Sequence, residues 1–480
     1  MSTQWRLLLA SCLIAGMLFV RVEAQTNLVL SAPSMNQAAA QQAQARKLTL
    51  SAAIDAAEAN YPRTRAALEQ RNSAQAAVGV ARSAYYPRAD LLWQTNRATA
   101  NNIYGLLLPQ GVVPSISGPV IASDNTRSAW SSAGGTQISW QPFDFGLRAA
   151  QVNAAKQGAQ AANAGFALTK LDVAVLTTNA YFDLATAEQL ATTAQANVDR
   201  LQVFAKAVHV LVDNQLRPGA DAAQADAQLA LARTQQIQAQ TNVEVRRATL
   251  GELVADRDVE VEYTTLLVPA PSERANTPPI ANHPAAQREA ALVNQQKEQF
   301  SVLSHSYVPQ FNALASLSGR GSGTDLTGAF PGGANGLAPS TMNWAAGVQM
   351  TFPAFDFFRV RAEKKVQAAN VRAEQANYAQ LVDDLSTGVL QAHAQLAGAR
   401  QAALNTPIEL SAAQQSESQQ RARFQAGLAT VIDVAAAESV LVQAEADDAV
   451  ARLNVWRAMA AEAAARGDLA PFLSELAGQP

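Results

Sequence analysis

The chain has 480 residues, 49% of them hydrophobic but only 6% aromatic, and a formal net charge of −3 at pH 7. A nearly neutral balance without a basic excess argues against nucleic acid as a partner, and a single cysteine, Cys12, rules out a disulfide framework. Few aromatics beside abundant alanine suit close helix-on-helix packing better than a bulky globular core, so helices should dominate.

Residues 1–24 read as a secretory signal: Arg6 precedes an apolar run from Leu7 to Val20, and Val22-Glu23-Ala24 forms a small-residue cleavage site before Gln25. Leu9-Ala10-Ser11-Cys12 resembles a lipid-attachment box. It follows Arg6 too closely, however, and the apolar run continues past it, so plain cleavage is the expectation. Residues 25–46, rich in Gln, Ala, Asn and Ser without apolar periodicity, read as a flexible extension. After the signal no tract is long and apolar enough for a membrane-spanning helix, so any spanning must be done by strands.

A first unit covers 47–255. Ser51 or Thr49 is a plausible cap for a helix kinked near Tyr61-Pro62, and a Pro-free run carries it to Tyr85-Tyr86-Pro87. Alternation then places Ala89, Leu91, Trp93 and Thr95 on one face of a strand. A loop from Asn101 to about Thr126 and a strand from Ser128 to Trp140 complete a hairpin over 86–141. No proline interrupts Phe143 to Arg217, which as one helix would be a rod on the order of 110 Å. Pro218-Gly219 breaks it at a tip near 214–220, and a helix returns from Ala220 to about Val254. A proline-rich linker, 256–284, follows.

The second unit, 285–467, repeats the plan: a helix to Tyr307-Val308-Pro309, a hairpin over 308–353, a long helix from Phe355 past Pro407 to Gln425, a tip near 424–430, and a return leg to about Arg466. Residues 468–480 form a tail. The duplication is plainest where Gly135-Thr136-Gln137-Ile138-Ser139-Trp140-Gln141-Pro142-Phe143-Asp144-Phe145 returns without a gap as Gly347-Val348-Gln349-Met350-Thr351-Phe352-Pro353-Ala354-Phe355-Asp356-Phe357. Rods with thin, small-residue seams must lie beside similar rods. Four strands fall short of the roughly eight of the smallest filled barrels, and open edges cannot face lipid, so at least two copies are required and three would give twelve strands.

Together with the signal, the duplicated plan and the Tyr-x-Pro entries, the tract Phe424-Gln425-Ala426-Gly427-Leu428-Ala429-Thr430-Val431-Ile432-Asp433-Val434 resembles the TolC family of outer membrane efflux proteins. The resemblance implies a mainly α fold with a small β part. Long antiparallel helical hairpins would form a trimeric α-barrel, and four strands per chain would join a shared 12-stranded β-barrel in the outer membrane. It also implies a homotrimeric exit duct docking to a periplasmic adaptor and an inner-membrane pump of the RND or ABC type, in tripartite efflux or a type I-like export. The rival reading is a structural periplasmic coiled-coil tether without channel activity.

Asp433 matches the aspartate lining the narrow periplasmic end of such tubes, beside the bland reading of a helix cap. Ala436 and Ala429 replace residues that can add a second ring or latch, which weakens a two-ring gate. Gly219 and Gly427 would permit backbone forms that side chains forbid. The resemblance adds adaptor contact at these glycines and at Leu216, Arg217 and Leu428. Asp144 and Asp356 are placed to complement the dipoles of the two long helices. Phe143, Phe145, Phe355 and Phe357 sit at the strand-helix junction, as an interfacial belt or as plain packing. Gly319-Arg320-Gly321-Ser322-Gly323 lacks phosphate-loop spacing and reads as a barrel loop. His209, His283, His305 and His393 are scattered, so no metal, cofactor or catalytic site is expected.

Overall fold

The computed structural model describes residues 47–99, 128–262, 280–324 and 333–477. The signal, Cys12, the N-terminal extension, the loop of the first hairpin and most of the linker lie outside these residues. In chain order the described elements are β1 (Lys47–Leu48), α1 (Leu50–Asn60), α2 (Pro62–Ser83), β2 (Arg88–Thr99), β3 (Ser128–Phe143), α3 (Leu147–Asp213) and α4 (Gly219–Val254). There follow β4 (Glu260–Val261), α5 (Pro284–His305), β5 (Gln310–Ser322), β6 (Thr341–Thr351), α6 (Phe357–Gln425), α7 (Val431–Ala465) and α8 (Ala470–Ala477).

Thr49 caps α1 by accepting from the Ala52 amide. Instead of kinking one helix, Tyr61-Pro62 separates two: Tyr61 ends α1 and caps α2, whose first residue is the proline, where a missing amide proton costs nothing. The two long helices start later than the sequence suggests. Phe143 is still in β3, and the turn Asp144–Gly146 holds Phe145 and Gly146 at φ 49° and 97° before α3 can begin. In the second half a short 3-10 turn, Ala354–Asp356, precedes α6, which then passes through Pro407.

Four rods lie side by side. The upper part of α3 is flanked by α2 and α5, and its lower part by α4 and α7; α6 lies on the far side of α5 and α7. The sheet repeats this order as β2-β3-β5-β6, antiparallel throughout. The edge strands β2 and β6 therefore adjoin the edge rods α2 and α6.

Most seam residues are small, so the rods approach closely. The larger core lies at mid-height, where Trp456, Tyr181, Phe182, Leu184, Leu250 and Leu453 are fully buried. Here β1 and β4 form a parallel pair tied down by the Tyr181 hydroxyl, which lies 2.6 Å from the Glu262 carbonyl and 3.0 Å from that of Leu48. The C-terminal segment, read as a tail, includes helix α8, docked with Phe472 against Trp456. The linker is likewise ordered at both ends, as β4 and the turn Ile280–Asn282.

Candidate functional site

The sheet presents two unlike faces. Because side chains alternate along a strand, register gathers Leu91 and Trp93, Ile138 and Trp140, Leu317, and Met342, Trp344, Val348 and Met350 on one face. All of these are exposed in the single chain, Leu91 at 85% and Trp344 at 79%. The opposite face carries Asp90, Gln94, Gln137, Ser316, Asn343 and Gln349. An apolar outer face about nine residues tall with tryptophans on it is the pattern of a strand wall in lipid, and the polar face is that of an aqueous lumen. Among the described residues no helix is long and apolar enough to cross a membrane.

Gly319–Ser322, read from sequence as a loop, is the end of β5. Its glycines let strands and turns close in: a Cβ on Gly321 would lie 2.1 Å from the Ala338 carbonyl.

At the junction, Asp144 accepts from the backbone and side chain of Arg148, both at 2.7 Å, and from the Gly146 amide. Burial alone would raise its carboxyl, but these bonds hold it below the ordinary carboxylate value. Arg148 also reaches the Ala84 carbonyl and lies over the Tyr85 ring, fastening α3 to the end of α2. Asp356 stands just before α6 but spends its carboxylate on the exposed Arg359, without capping the helix. Phe145 packs on Phe311, and Phe352 and Phe357 on Tyr307, each keeping part of its ring exposed; Phe143 and Phe355 are more exposed still, at 68% and 96%.

The tips close α3 and α6 by the same hydrogen bonds, Leu216 amide to Leu211 carbonyl and Leu428 amide to Arg423 carbonyl. Gly427 occupies the left-handed region at φ 76°, as expected. Gly219 does not: it is the first residue of α4, a Cβ there would meet nothing, and Gln215, at φ 60°, takes the left-handed role. Leu216 and Leu428 are exposed. Arg217 is not a free contact residue. Its guanidinium lies 4.6 Å from the centroid of the Phe424 ring, donates to the Phe424 and Ala429 carbonyls, and pairs with Asp221. One tip thereby grips the other. Asp433 completes a capping box with Thr430: its carboxylate accepts from the Thr430 amide and hydroxyl, while the Thr430 hydroxyl accepts from the Asp433 amide. Those bonds lower its pKa, and the side chain is exposed.

Sequence reading passed over a charged cluster where α3, α6 and α7 meet. Arg200 bonds to Glu438 and, at 3.0 Å, to Glu445, while Arg421 reaches Glu438 and Glu417. Its signal was present. Positions 431, 434, 438, 441, 445 and 448 keep coiled-coil spacing, and three of the six carry acidic residues where apolar ones belong. Burial raises Glu438 above the ordinary carboxyl value in spite of its arginines.

The profile of the family described as outer membrane efflux protein matches residues 53–255 and 280–467. Among solved structures, the CusC channel superposes with a TM-score of 0.72 at 15% identity, covering 87% of this chain and 92% of that one. The CmeC outer membrane channel of Campylobacter jejuni gives 0.70 at 17%, covering 90% and 89%. The outer membrane protein VceC of Vibrio cholerae gives 0.69 at 17%, covering 87% and 96%. These superpositions establish a shared fold. No curated protein matches the chain by sequence.

Proposed function

The chain belongs to the outer membrane efflux protein family, and from that premise we propose that three copies form a passive duct through the outer membrane and periplasm. The observation that carries this reading is the coincidence of edges. Among the described residues one chain supplies a four-stranded sheet and four rods in the same lateral order, and both layers end unpaired on the same two sides. Unpaired strand edges in lipid are prohibitive, and three copies would supply the twelve strands of a closed wall.

The apolar face meets outer membrane lipid, with the exposed Phe143 and Phe355 at its periplasmic border. The exposed tip residues Leu216, Gly427 and Leu428 are the surface offered to a periplasmic adaptor and, beyond it, an inner-membrane pump of the RND or ABC type. Transport is driven by those partners, and the chain itself is not an enzyme. Asp433, near the far end of α6, supplies one carboxylate per copy to the narrow end of the lumen. Its capping bonds converge on one oxygen, Oδ2, which leaves the other for passing cations.

The test is native mass measurement on protein solubilised from outer membranes. Three copies per particle are expected; a monomer recovered from the soluble periplasm would favour the tether. Asp433→Ala should lower the preference for cations over anions, read as a smaller reversal potential in a salt gradient.

A further inference from the structure

The two repeats are related by fixed shifts in number, and these shifts specify the contact that one chain makes with the next. Helix α2 and strand β2 map onto α5 and β5 by adding 222, since Pro62 and Pro284 both open helices of 22 residues. Strand β3, helix α3 and the first tip map onto β6, α6 and the second tip by adding 212, from Gly135 and Gly347 through Gln215 and Gly427. The shifts pass a check within the chain. Applied to the β2–β3 pair Arg88–Ser139, they give Gln310–Thr351, the pair observed between β5 and β6.

The contact between repeats, β3 with α3 against β5 with α5, then has one counterpart, which lies outside the chain: β6 with α6 against β2 with α2 of a second copy. The observed pairs Gly134–Gly319, Thr136–Leu317 and Ile138–Ala315 become Ala346–Arg97, Val348–Thr95 and Met350–Trp93, which keeps the face of Trp93 on the same side as that of Trp344 and Val348.

Side-chain sizes along the helices support the same match. Within the chain a glycine on α3 or at its N-cap faces a larger side chain on α5 at three levels: Gly146, the N-cap, at His305, and Gly158 at Gln295 and Gly165 at Arg288 within the helix. The shifted positions are Phe358 and Ser83, Asn370 and Ser73, and Asn377 and Ala66. At all three levels the large residue has changed sides and its partner has become small. All six of these residues are exposed in the single chain, and nothing among the described residues accounts for the exchange.

We propose that the β6/α6 edge of one chain seats on the β2/α2 edge of a second copy in this register, Val348 opposite Thr95, with Phe358 over Ser83 and Asn370 over Ser73. The proposal rests on the reading of the chain as one segment of a closed tube.

Cysteine pairs test it, because Cys12 is the chain's one native cysteine. Thr95→Cys with Val348→Cys should give covalent multimers in intact outer membranes under mild oxidation. Thr95→Cys with Met350→Cys should not, since a two-residue slip moves the partner by about 7 Å, beyond disulfide reach. Thr136→Cys with Leu317→Cys, the equivalent pair inside one chain, is the positive control and should close without changing chain mass. Ser73→Cys with Asn370→Cys reports the same seam outside the membrane if the strand variants fail to insert. An oligomer by native mass in which the slipped pair links and the in-register pairs do not would overturn the register alone. A monomer by native mass would overturn the tube as well.

Discussion

Four side chains show how much a single residue decides in a molecule this thinly packed. Thr430 and Asp433 satisfy one another's amides at the start of α7, so Thr430→Ala should cost about 1 kcal/mol and speed hydrogen exchange over Val431–Val434. Asp433 titrates below the ordinary carboxylate value. Its contribution is therefore present above that value and is lost as pH falls through the lowered one. Arg217 holds the first tip to the second through a ring face and two carbonyls. Arg217→Ala should release about 1–2 kcal/mol of local stability, read as faster exchange at 424–431, and lysine should not restore it because it lacks the planar fork. His283 caps α5 by accepting from the Ala285 amide at Nδ1, and burial depresses its pKa below the usual 6.5. Stability from the neutral ring is complete above pH 6.5 and falls as pH drops through the depressed value. Melting temperature should thus decline in mild acid for the native chain and stay flatter for His283→Asn, which can still cap.

Between elements, the seam of α3 with α7 carries charge at positions where packing is expected. Glu438 is 2% exposed and depends on Arg200; removing a partner from a buried pair typically costs about 3–5 kcal/mol. Arg200→Ala should destabilise by roughly the lower figure, and Glu438→Gln in that background should recover part of it. Burial raises the Glu438 carboxyl, so the fold favours its neutral form. The Arg200→Ala deficit should therefore be smaller at pH 5 than at pH 8, as paired urea or thermal melts would show. The strands, the long rods and the Gly427 tip were legible in the sequence because each is a periodic or local signal: alternation around Leu91 and Trp93, an uninterrupted run to Arg217, a glycine at a left-handed turn. What was not legible depended on partners distant in sequence. Arg217 finds Phe424 and Arg200 finds Glu438 only after the repeats are side by side, and Phe472 finds Trp456 only after α8 folds back on α7. Gly219 misled because a glycine after a proline looks like the turn itself, whereas the left-handed residue is Gln215, four positions earlier.

For the molecule as a whole, the described residues leave an apolar sheet face, two unpaired edges of the four-stranded sheet and two rods flanked on one side only, all open together. Shared offsets bring both tips to the same distance in sequence from their junctions, Asp144 to Gln215 and Asp356 to Gly427, so in the proposed edge-to-edge packing the tips would end level. The most direct measurement of the central claim is the current carried by purified oligomer across a planar lipid bilayer. Discrete, voltage-tolerant conductance steps from the trimeric fraction and none from dissociated chains are expected. A pure trimer that inserts and leaves the bilayer electrically silent would contradict the account.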